Sequence, residues 1–517
     1  MKPFYITTPI YYVNDKPHLG TAYCTLVADT LFRFHKLFGA ESFFLTGTDE
    51  HGQKVKQAAE KRGLTPQQHC DEMVKNFQVA WQELGIDYSY FIRTTSAFHT
   101  ESVKKCLQSL FEKGDIYEAT YEGWYSVSEE IFYTEKELVD GRSPTGKEVT
   151  RIQEKNFFFK MSKYQQRLID HINKHAEFIQ PDFRKNEVLG FLRQPLNDLC
   201  ISRPKARMSW GIEIPFAPDY VTYVWFDALL NYATGVGYLQ REKQADFQKW
   251  WMEAGPVHLI GKDILTTHCV YWTTMLMALE VALPRTIFAH GWILNRENAK
   301  MSKSEGTVID PVIARDMIGL DNLRYFLVRD IHLGNDAPFS LELVENRINS
   351  ELSNNLGNLL SRSANLVEKF FEGKSPAWQD SAADEQALAL KLRCLELPEK
   401  VQSEVDKFRL SFALDHIVQT LTAANKYMED KAPWKLAKTN LPAAGQVLAT
   451  ILEVLRVTAI LLTPVLPNKA VELLDRIGVK DRTWASLNRW PAVAPGTPIV
   501  KGDPLFPRLD FSHLKGK

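Results

Sequence analysis

Two patterns of apolar and polar positions alternate along the first fifty residues. Phe4, Tyr5 and Ile6 precede the β-branched Thr7 and Thr8, which predicts a short strand over residues 3–9. Asn14, Asp15, Lys16 and Pro17 mark a polar loop over residues 10–17. From Leu19 the apolar positions Ala22, Leu26, Val27, Leu31 and Leu37 recur about every 3.6 residues, predicting a helix that Gly39 closes. A second strand is predicted over residues 41–45, running into Thr46-Gly47-Thr48-Asp49-Glu50-His51-Gly52. Strand, helix and strand with polar loops behind the strands predict an α/β domain on a doubly wound parallel sheet.

Residues 115–219 break that rhythm. They hold the turn cluster Asp140-Gly141-Arg142-Ser143-Pro144 and the aromatic run Phe157-Phe158-Phe159, and read as a module inserted into the sheet domain. Alternation of strand and helix resumes at residues 220–226 and continues with strands at 257–260 and 286–290. Beyond about Leu341 the pattern is almost wholly helical, as at 345–371, 408–430 and 445–462, with a polar loop at 375–384. The expected division is 1–114 and 220–290 for the two halves of the sheet domain, 115–219 for the insertion, 291–344 for a loop and junction, and 345–517 for a helical domain. The most apolar stretch, residues 447–466, carries Glu453 and Arg456 and is broken by Pro464. That predicts a buried helix rather than a membrane span, and no membrane partner is expected.

Composition narrows the function classes. A chain of 517 residues, at roughly 150 per domain, holds about three or four domains. Hydrophobic residues at 45% and charged residues at 24% exclude disorder over most of the length. Lys and Arg number 62 against 63 Asp and Glu, so bulk positive charge cannot carry nucleic-acid binding, although a local basic face can. No two of the six cysteines form a CxxC pair. That argues against a disulfide framework or a cysteine zinc knuckle and fits a reducing compartment. With no signal-peptide core behind Met1, a soluble cytoplasmic protein is expected.

Two segments point to chemistry on phosphates. Pro17-His18-Leu19-Gly20 lies on the turn from strand to helix, where free N–H groups and the positive dipole end face outward. His18 can donate to a phosphate oxygen, and Gly20 leaves room for a flat base. Alone, such a turn is most often a structural helix cap. Ala299-Lys300-Met301-Ser302-Lys303-Ser304-Glu305-Gly306 sets two lysines three apart on a Ser- and Gly-rich loop, a pairing that neutralises a polyphosphate or simply decorates a surface turn. Together the His-Leu-Gly turn and the Lys-Met-Ser-Lys-Ser loop resemble the paired signatures of class I aminoacyl-tRNA synthetases. Thr7-Thr8-Pro9-Ile10-Tyr11-Tyr12-Val13-Asn14, residues 46–52, Tyr223-Val224-Trp225-Phe226-Asp227-Ala228-Leu229 and Ile260-Gly261-Lys262-Asp263-Ile264 resemble the bacterial-type methionyl-tRNA synthetase family. So do residues 358–362 and Ala432-Pro433-Trp434, and the resemblance covers nearly the whole chain.

The resemblance implies a Rossmann-type catalytic domain with an inserted connective module, followed by an α-helical bundle that binds the anticodon. It implies ATP-dependent attachment of L-methionine to tRNA(Met) by way of methionyl-adenylate, with release of AMP and diphosphate. The methionine carboxylate is already ionised, so positioning and stabilisation of phosphate charge carry the first step rather than a general base. His18, Thr21, Lys300 and Lys303 are the implied catalytic residues, with Mg²⁺ on the phosphates. Gly20, Gly261, Asp263 and Ser302 join them around ATP, Asp263 as a ribose-hydroxyl acceptor. Asp49 is implied for the substrate ammonium, and Tyr12 and Trp225 for aromatic walls. Ile10, Ala228, Leu229 and Tyr232 complete that pocket, and His268 stands near the thioether. Asn358, Arg362 and Trp434 are implied for the anticodon, and Arg203 for ATP or the tRNA acceptor end. Read without the family, Tyr12, Trp225, Tyr232 and Trp434 also fit plain core packing, and Asp49 a loop cap.

The sequence departs from the family at three places. Thr21 stands where a second histidine is common and can carry no charge. Ser126, Glu129 and Ser143 stand where the connective module often has zinc-binding cysteines, a poor tetrahedral set, so no structural zinc is expected. The chain stops without the appended domain on which the family's dimers depend, so a monomer is expected. Class I enzymes for leucine, isoleucine or valine need a large editing domain, because one methylene discriminates poorly, and an insertion of about 100 residues is too short for it. The cysteine enzyme needs zinc ligands that are missing, and a catalytically dead tRNA-binding paralogue sits badly with His18, Asp49, Lys300 and Lys303.

Overall fold

In the computed structural model the described residues are 1–126, 131–133, 135–295, 299 and 309–512. Among them a six-stranded, all-parallel sheet organises the first half: β1 (Phe4–Tyr12), β2 (Ser42–Asp49), β3 (Tyr90–Arg93), β4 (Ile179–Gln180), β5 (Val257–Gly261) and β6 (Thr286–His290), in the order β3-β2-β1-β5-β6-β4. The order reverses between β1 and β5. A crevice therefore opens at the carboxyl ends of those strands, where ligands of open α/β sheets bind.

β1 and β2 both outrun the strands read from sequence. Pro9 lacks an N–H, and the β1–β2 register shifts between Thr7 and Ile10, where the Thr8 and Thr46 hydroxyls meet at 2.7 Å. Pairing resumes as Ile10↔Gly47 to Tyr12↔Asp49, so the expected loop begins only after Tyr12. Gly47 is obligatory, since a Cβ there would lie 2.0 Å from the Ile92 carbonyl oxygen on β3. Helix α1 (Leu19–Leu37) buries Ala22, Leu26, Val27 and Leu31 against the sheet, and α2 (Ala97–Glu112) follows β3.

The inserted module rests on a long antiparallel pair, Ile116–Ser126 with Thr150–Phe159, but it sends Ile179–Gln180 back to the main sheet as its edge. Residues 217–222 stay out of that sheet. Exposed Pro218 and Asp219 cannot sit on a strand buried on both faces, and Ala217–Thr222 pairs antiparallel with Ser202–Pro204 and Glu213–Ile214 instead. Helix α3 (Val224–Leu229) then leads to the short helix Asn231–Thr234.

The second half is helical: α4 (Leu320–Arg329), α5 (Asn358–Phe371), α6 (Glu385–Asp406), α7 (Leu410–Lys431) and α8 (Leu441–Leu462). Among the described helices α8 is long and apolar enough to cross a membrane, yet the whole of that stretch is buried inside the bundle. Its two charges explain themselves. Glu453 and Arg456 pair at 2.8 Å, Glu453 accepts the Ala492 N–H at 2.7 Å, and Arg456 donates to the carbonyls of Ser486 and Arg489. They pin the C-terminal segment to the bundle. Arg324 on α4 joins the halves: its fully buried guanidinium donates to Asp29 on α1 at 2.6 Å and to the Pro464 and Val465 carbonyls beyond α8. Losing one partner of such a buried pair destabilises by about 3–5 kcal/mol.

Candidate active site

A cavity of about 430 Å³ lies at the carboxyl ends of β1, β2, β5 and β6. Its wall at the start of α1 is a helix cap. His18 Nδ1 accepts the N–H groups of Gly20 at 3.1 Å and Thr21 at 3.4 Å, so this nitrogen is bare and Nε2 carries the ring proton. The Thr21 hydroxyl donates to the His18 carbonyl at 2.7 Å and accepts the His18 N–H at 3.0 Å. Thr21 thus spends its proton on the cap and orients His18. Next to them, the Leu19 N–H donates to the carbonyl of Ile309 at 3.0 Å, and Ile309 also lines the cavity. Lys300, Ser302 and Lys303 lie outside the described residues, as does Glu129 of the inserted module.

The opposite wall is aromatic and buried. Tyr232 is held from three sides: its carbonyl accepts from Tyr5 Oη at 2.6 Å, its hydroxyl meets His268 Nε2 at 2.7 Å, and its ring lies on His258 with centroids 4.3 Å apart. His268 Nδ1 faces the Ile264 carbonyl at 3.0 Å and must donate to it, so Nε2 accepts the tyrosine proton. Burial pushes His268 down to about 4 and keeps it neutral. His258, also held neutral by burial, accepts from Trp272 Nε1 at 3.1 Å and donates from Nδ1 to Thr7 Oγ1 at 2.8 Å. Ile10, Tyr12, Trp225, Ala228 and Leu229 complete this side.

Asp49 ends β2 with 4% of its surface exposed, and the loop behind it is fastened residue by residue. The Asp49 carbonyl accepts the Val13 N–H at 3.4 Å. Buried Glu50 takes a two-pronged Arg93 at 2.7 and 3.0 Å, and its carbonyl accepts Trp210 Nε1 at 2.6 Å. His51 Nδ1 meets Asp227 at 2.6 Å. Burial pushes the Asp227 carboxyl up, but the charge of His51 and the hydrogen bonds from His51 and His99 outweigh it and hold the group below its ordinary range.

Beyond β5, a Cβ at Gly261 would lie 2.5 Å from Asp263 Oδ1, so any larger residue would have to push the Asp263 carboxylate aside. Asp263 receives the Trp292 indole N–H at 3.5 Å. Ile10, Tyr12, His18, Gly20, Thr21, Asp49, Trp225, Ala228, Leu229, Tyr232, Gly261, Asp263 and His268 all border this one cavity. Sequence reading overlooked Tyr23, Asn231, His290 and Trp292, which border it too. The Tyr23 hydroxyl, Asn231 Oδ1 and His290 Nε2 are buried without a protein hydrogen-bond partner. His290 at the end of β6 was accessible through the rule that carboxyl ends of strands meet ligands. Tyr23 and Asn231 carry no such signal.

Other candidates lie apart. Arg203 is 2% exposed, donates to the Ser202 carbonyl at 2.7 Å and lies over the Tyr223 ring at 4.4 Å, and it does not border the cavity. On α5, Asn358 is exposed. One turn on, the Arg362 guanidinium stands 5.3 Å from the ring centre of half-buried Trp434 and pairs with Glu429 at 2.6 Å. Among the described residues no cluster of three or more His, Cys, Asp or Glu could hold a metal ion.

The fold and the site agree with the comparisons. Residues 4–151 and 136–364 match the family described as tRNA synthetases class I (M), and residues 376–513 match the anticodon binding domain of methionyl tRNA ligase. A methionine–tRNA ligase of Clostridium acetobutylicum is 44% identical over 514 residues, spanning 98% of this chain and 78% of that protein. One from Listeria monocytogenes is 41% identical over 525 residues, spanning 98% and 78%. The Mycobacterium tuberculosis methionyl-tRNA synthetase in complex with methionyl-adenylate superposes with a TM-score of 0.92 at 39% identity, covering 98% of this chain and all of that one. Its ligand-free form gives 0.87 at 37% identity, covering 99% of each. The chain belongs to the class I tRNA synthetases, in their methionyl family.

Proposed function

We infer that the protein is a methionine–tRNA ligase, joining L-methionine to AMP from ATP and passing the methionyl group to tRNA(Met). One observation carries this reading: a single cavity sets a buried carboxylate and a neutral aromatic pocket beside a capped helix N-terminus. Asp49 takes the substrate ammonium. The aromatic wall takes the thioether, where a polarizable sulfur gains about 0.3–1.5 kcal/mol from ring contacts. A neutral His268, accepting from Tyr232, leaves this wall uncharged, which suits a thioether and repels a charged side chain.

The methionine carboxylate oxygen bonds to the α-phosphorus of ATP while the bond from that phosphorus to the diphosphate breaks. His18 Nε2–H donates to a phosphate oxygen, and Thr21 keeps the ring aimed. Lys300 and Lys303 neutralise the departing diphosphate with Ser302 beside them, ATP arriving as its magnesium complex. Asp263 accepts from the ribose, and Gly20 and Gly261 let the nucleotide approach the backbone. In the second step a terminal hydroxyl of tRNA attacks the methionyl carbonyl and AMP leaves. Residues 1–114 and 220–290, with the loop and junction at 291–344 that carries Lys300 and Lys303, do this chemistry around the connective module of 115–219. Residues 345–517 read the anticodon through Asn358, Arg362 and Trp434. The enzyme acts in the cytoplasm as a monomer.

The test is ATP–pyrophosphate exchange with each amino acid, followed by charging of tRNA(Met). Methionine alone should support both, and exchange driven by another amino acid would overturn the reading. On this reading the connective module needs no zinc, because Ser126, Glu129 and Ser143 make a poor tetrahedral set. Elemental analysis of dialysed protein should find well under one zinc per chain.

A further inference from the structure

Asp227 lies between residues that border the cavity without bordering it. Its carboxylate is buried and ties three separate pieces of chain. Oδ2 takes His51 Nδ1 at 2.6 Å, from the loop that begins with Asp49. Oδ1 takes His99 Nε2 at 2.8 Å, from α2. The other nitrogen of His99 meets Thr234 Oγ1 at 2.7 Å, two residues beyond Tyr232. Asp227 itself sits on α3 among Trp225, Ala228 and Leu229. One cluster, with Asp227 1%, His99 0% and His51 8% exposed at the side chain, therefore joins three of the elements that wall the amino-acid side of the cavity: the loop behind Asp49, α3 and the helix that carries Tyr232.

Stability alone does not require such a cluster. A buried charged group brings a desolvation penalty, and packed apolar residues of the same volume often do as well. Directional bonds bring register instead. His51 is two residues from Asp49, and Asp227 is one from Ala228 and two from Trp225, so the 2.6 Å contact fixes the carboxylate end of the pocket against its side-chain end. Trp210 backs the same imidazole, with ring centroids 5.4 Å apart. Discrimination against one extra methylene reaches about 10–200-fold only where the wall holds its place.

We propose that Asp227 is a specificity-determining positioning residue: through His51 and His99 it sets the distance from Asp49 to the Trp225–Ala228–Leu229 wall, and so the length of amino acid that is activated. This rests on the methionine–ligase reading. Wild-type exchange with methionine, and its loss in Asp49→Ala, test that reading separately.

The experiment compares methionine with ethionine, one methylene longer, in pyrophosphate exchange by Asp227→Asn. KM for methionine should rise about tenfold, the effect of one hydrogen bond to a buried charged group. KM for ATP should stay within about twofold, and the preference for methionine over ethionine should shrink about tenfold. Because Asp227→Asn could misfold, His51→Gln and His51→Ala form a second arm. Glutamine still offers Asp227 a donor and should keep most of the preference, whereas alanine should lose it. A purely structural role lowers the active fraction equally for both amino acids. An unchanged methionine-to-ethionine ratio in folded Asp227→Asn, or equal ratios in the two His51 variants, overturns the proposal.

Discussion

Around the cavity Tyr232, His258, His268 and Asp227 each expose 1% of their surface or less, and every one of them is held by hydrogen bonds to other elements. On the helical half, Asn358 is open to water, and Arg362 pairs with a Glu429 whose side chain is 58% exposed. A buried hydrogen bond between neutral groups is worth about 0.5–1.5 kcal/mol and one to a charged group such as Asp227 about 1.5–3 kcal/mol, an exposed ion pair about 0–1 kcal/mol. The first region is set before any ligand arrives, whereas the second can exchange Glu429 for another partner at small expense. A small amino acid suits the first arrangement and a loop of single-stranded RNA the second.

The largest break in that contrast is Asp49→Ala. Loss of a charge-assisted contact to the substrate ammonium should lower methionine-dependent exchange by about two powers of ten while thermal unfolding stays near wild type. Exchange within a fewfold of wild type would remove Asp49 from the site. Trp434→Ala comes next. A stacked base is worth about 1–3 kcal/mol, so tRNA charging should drop about 10–100-fold with exchange unchanged. Loss of exchange, or unfolding, would make Trp434 a core residue and erase the difference between the two regions.

Acid supplies the smallest effect. His268 has a pKa of about 4 when folded against 6.5 in a free chain. The unfolded chain therefore binds the extra proton, and acid favours unfolding as the pH falls from 6.5 toward about 4. His35, brought by burial and by Arg285 down to about 3, acts in the same direction. His268→Gln should lose less melting temperature across that window than wild type, by about 2–4 °C. Equal slopes would mean that His268 is not held neutral by its pocket.

Local pattern was enough for the parts that depend on near neighbours. Leu19, Leu26 and Leu31 announce α1, and a Pro-His-Leu-Gly turn between strand and helix announces one end of the cavity. It failed where distant chain decides. Residues 10–12 look like a loop behind Pro9, but Gly47, Thr48 and Asp49 on β2 carry the strand past the break. Residues 179–180 looked like part of an insertion, but β6 offers them an edge. Asp227 passed as one more residue of a familiar segment because its partners His51 and His99 are 176 and 128 positions away. Tyr23 and Asn231 fall on helices where nothing local separates a cavity wall from core.

The strand order also bears on synthesis. β1 pairs with β2 within the first fifty residues, but its other neighbour is β5, with Ile6 opposite Val257. A ribosome adding about 5–20 residues per second takes roughly 10–50 s to cross that interval. Throughout it one edge of β1 has no partner of its own, while His18 and Asp49 already exist and Asp263 and His268 do not. An unpaired edge on an apolar strand invites association with another chain. Crowded polysomes thus meet this protein at its most vulnerable just before the two stretches of chain that line its cavity first come together.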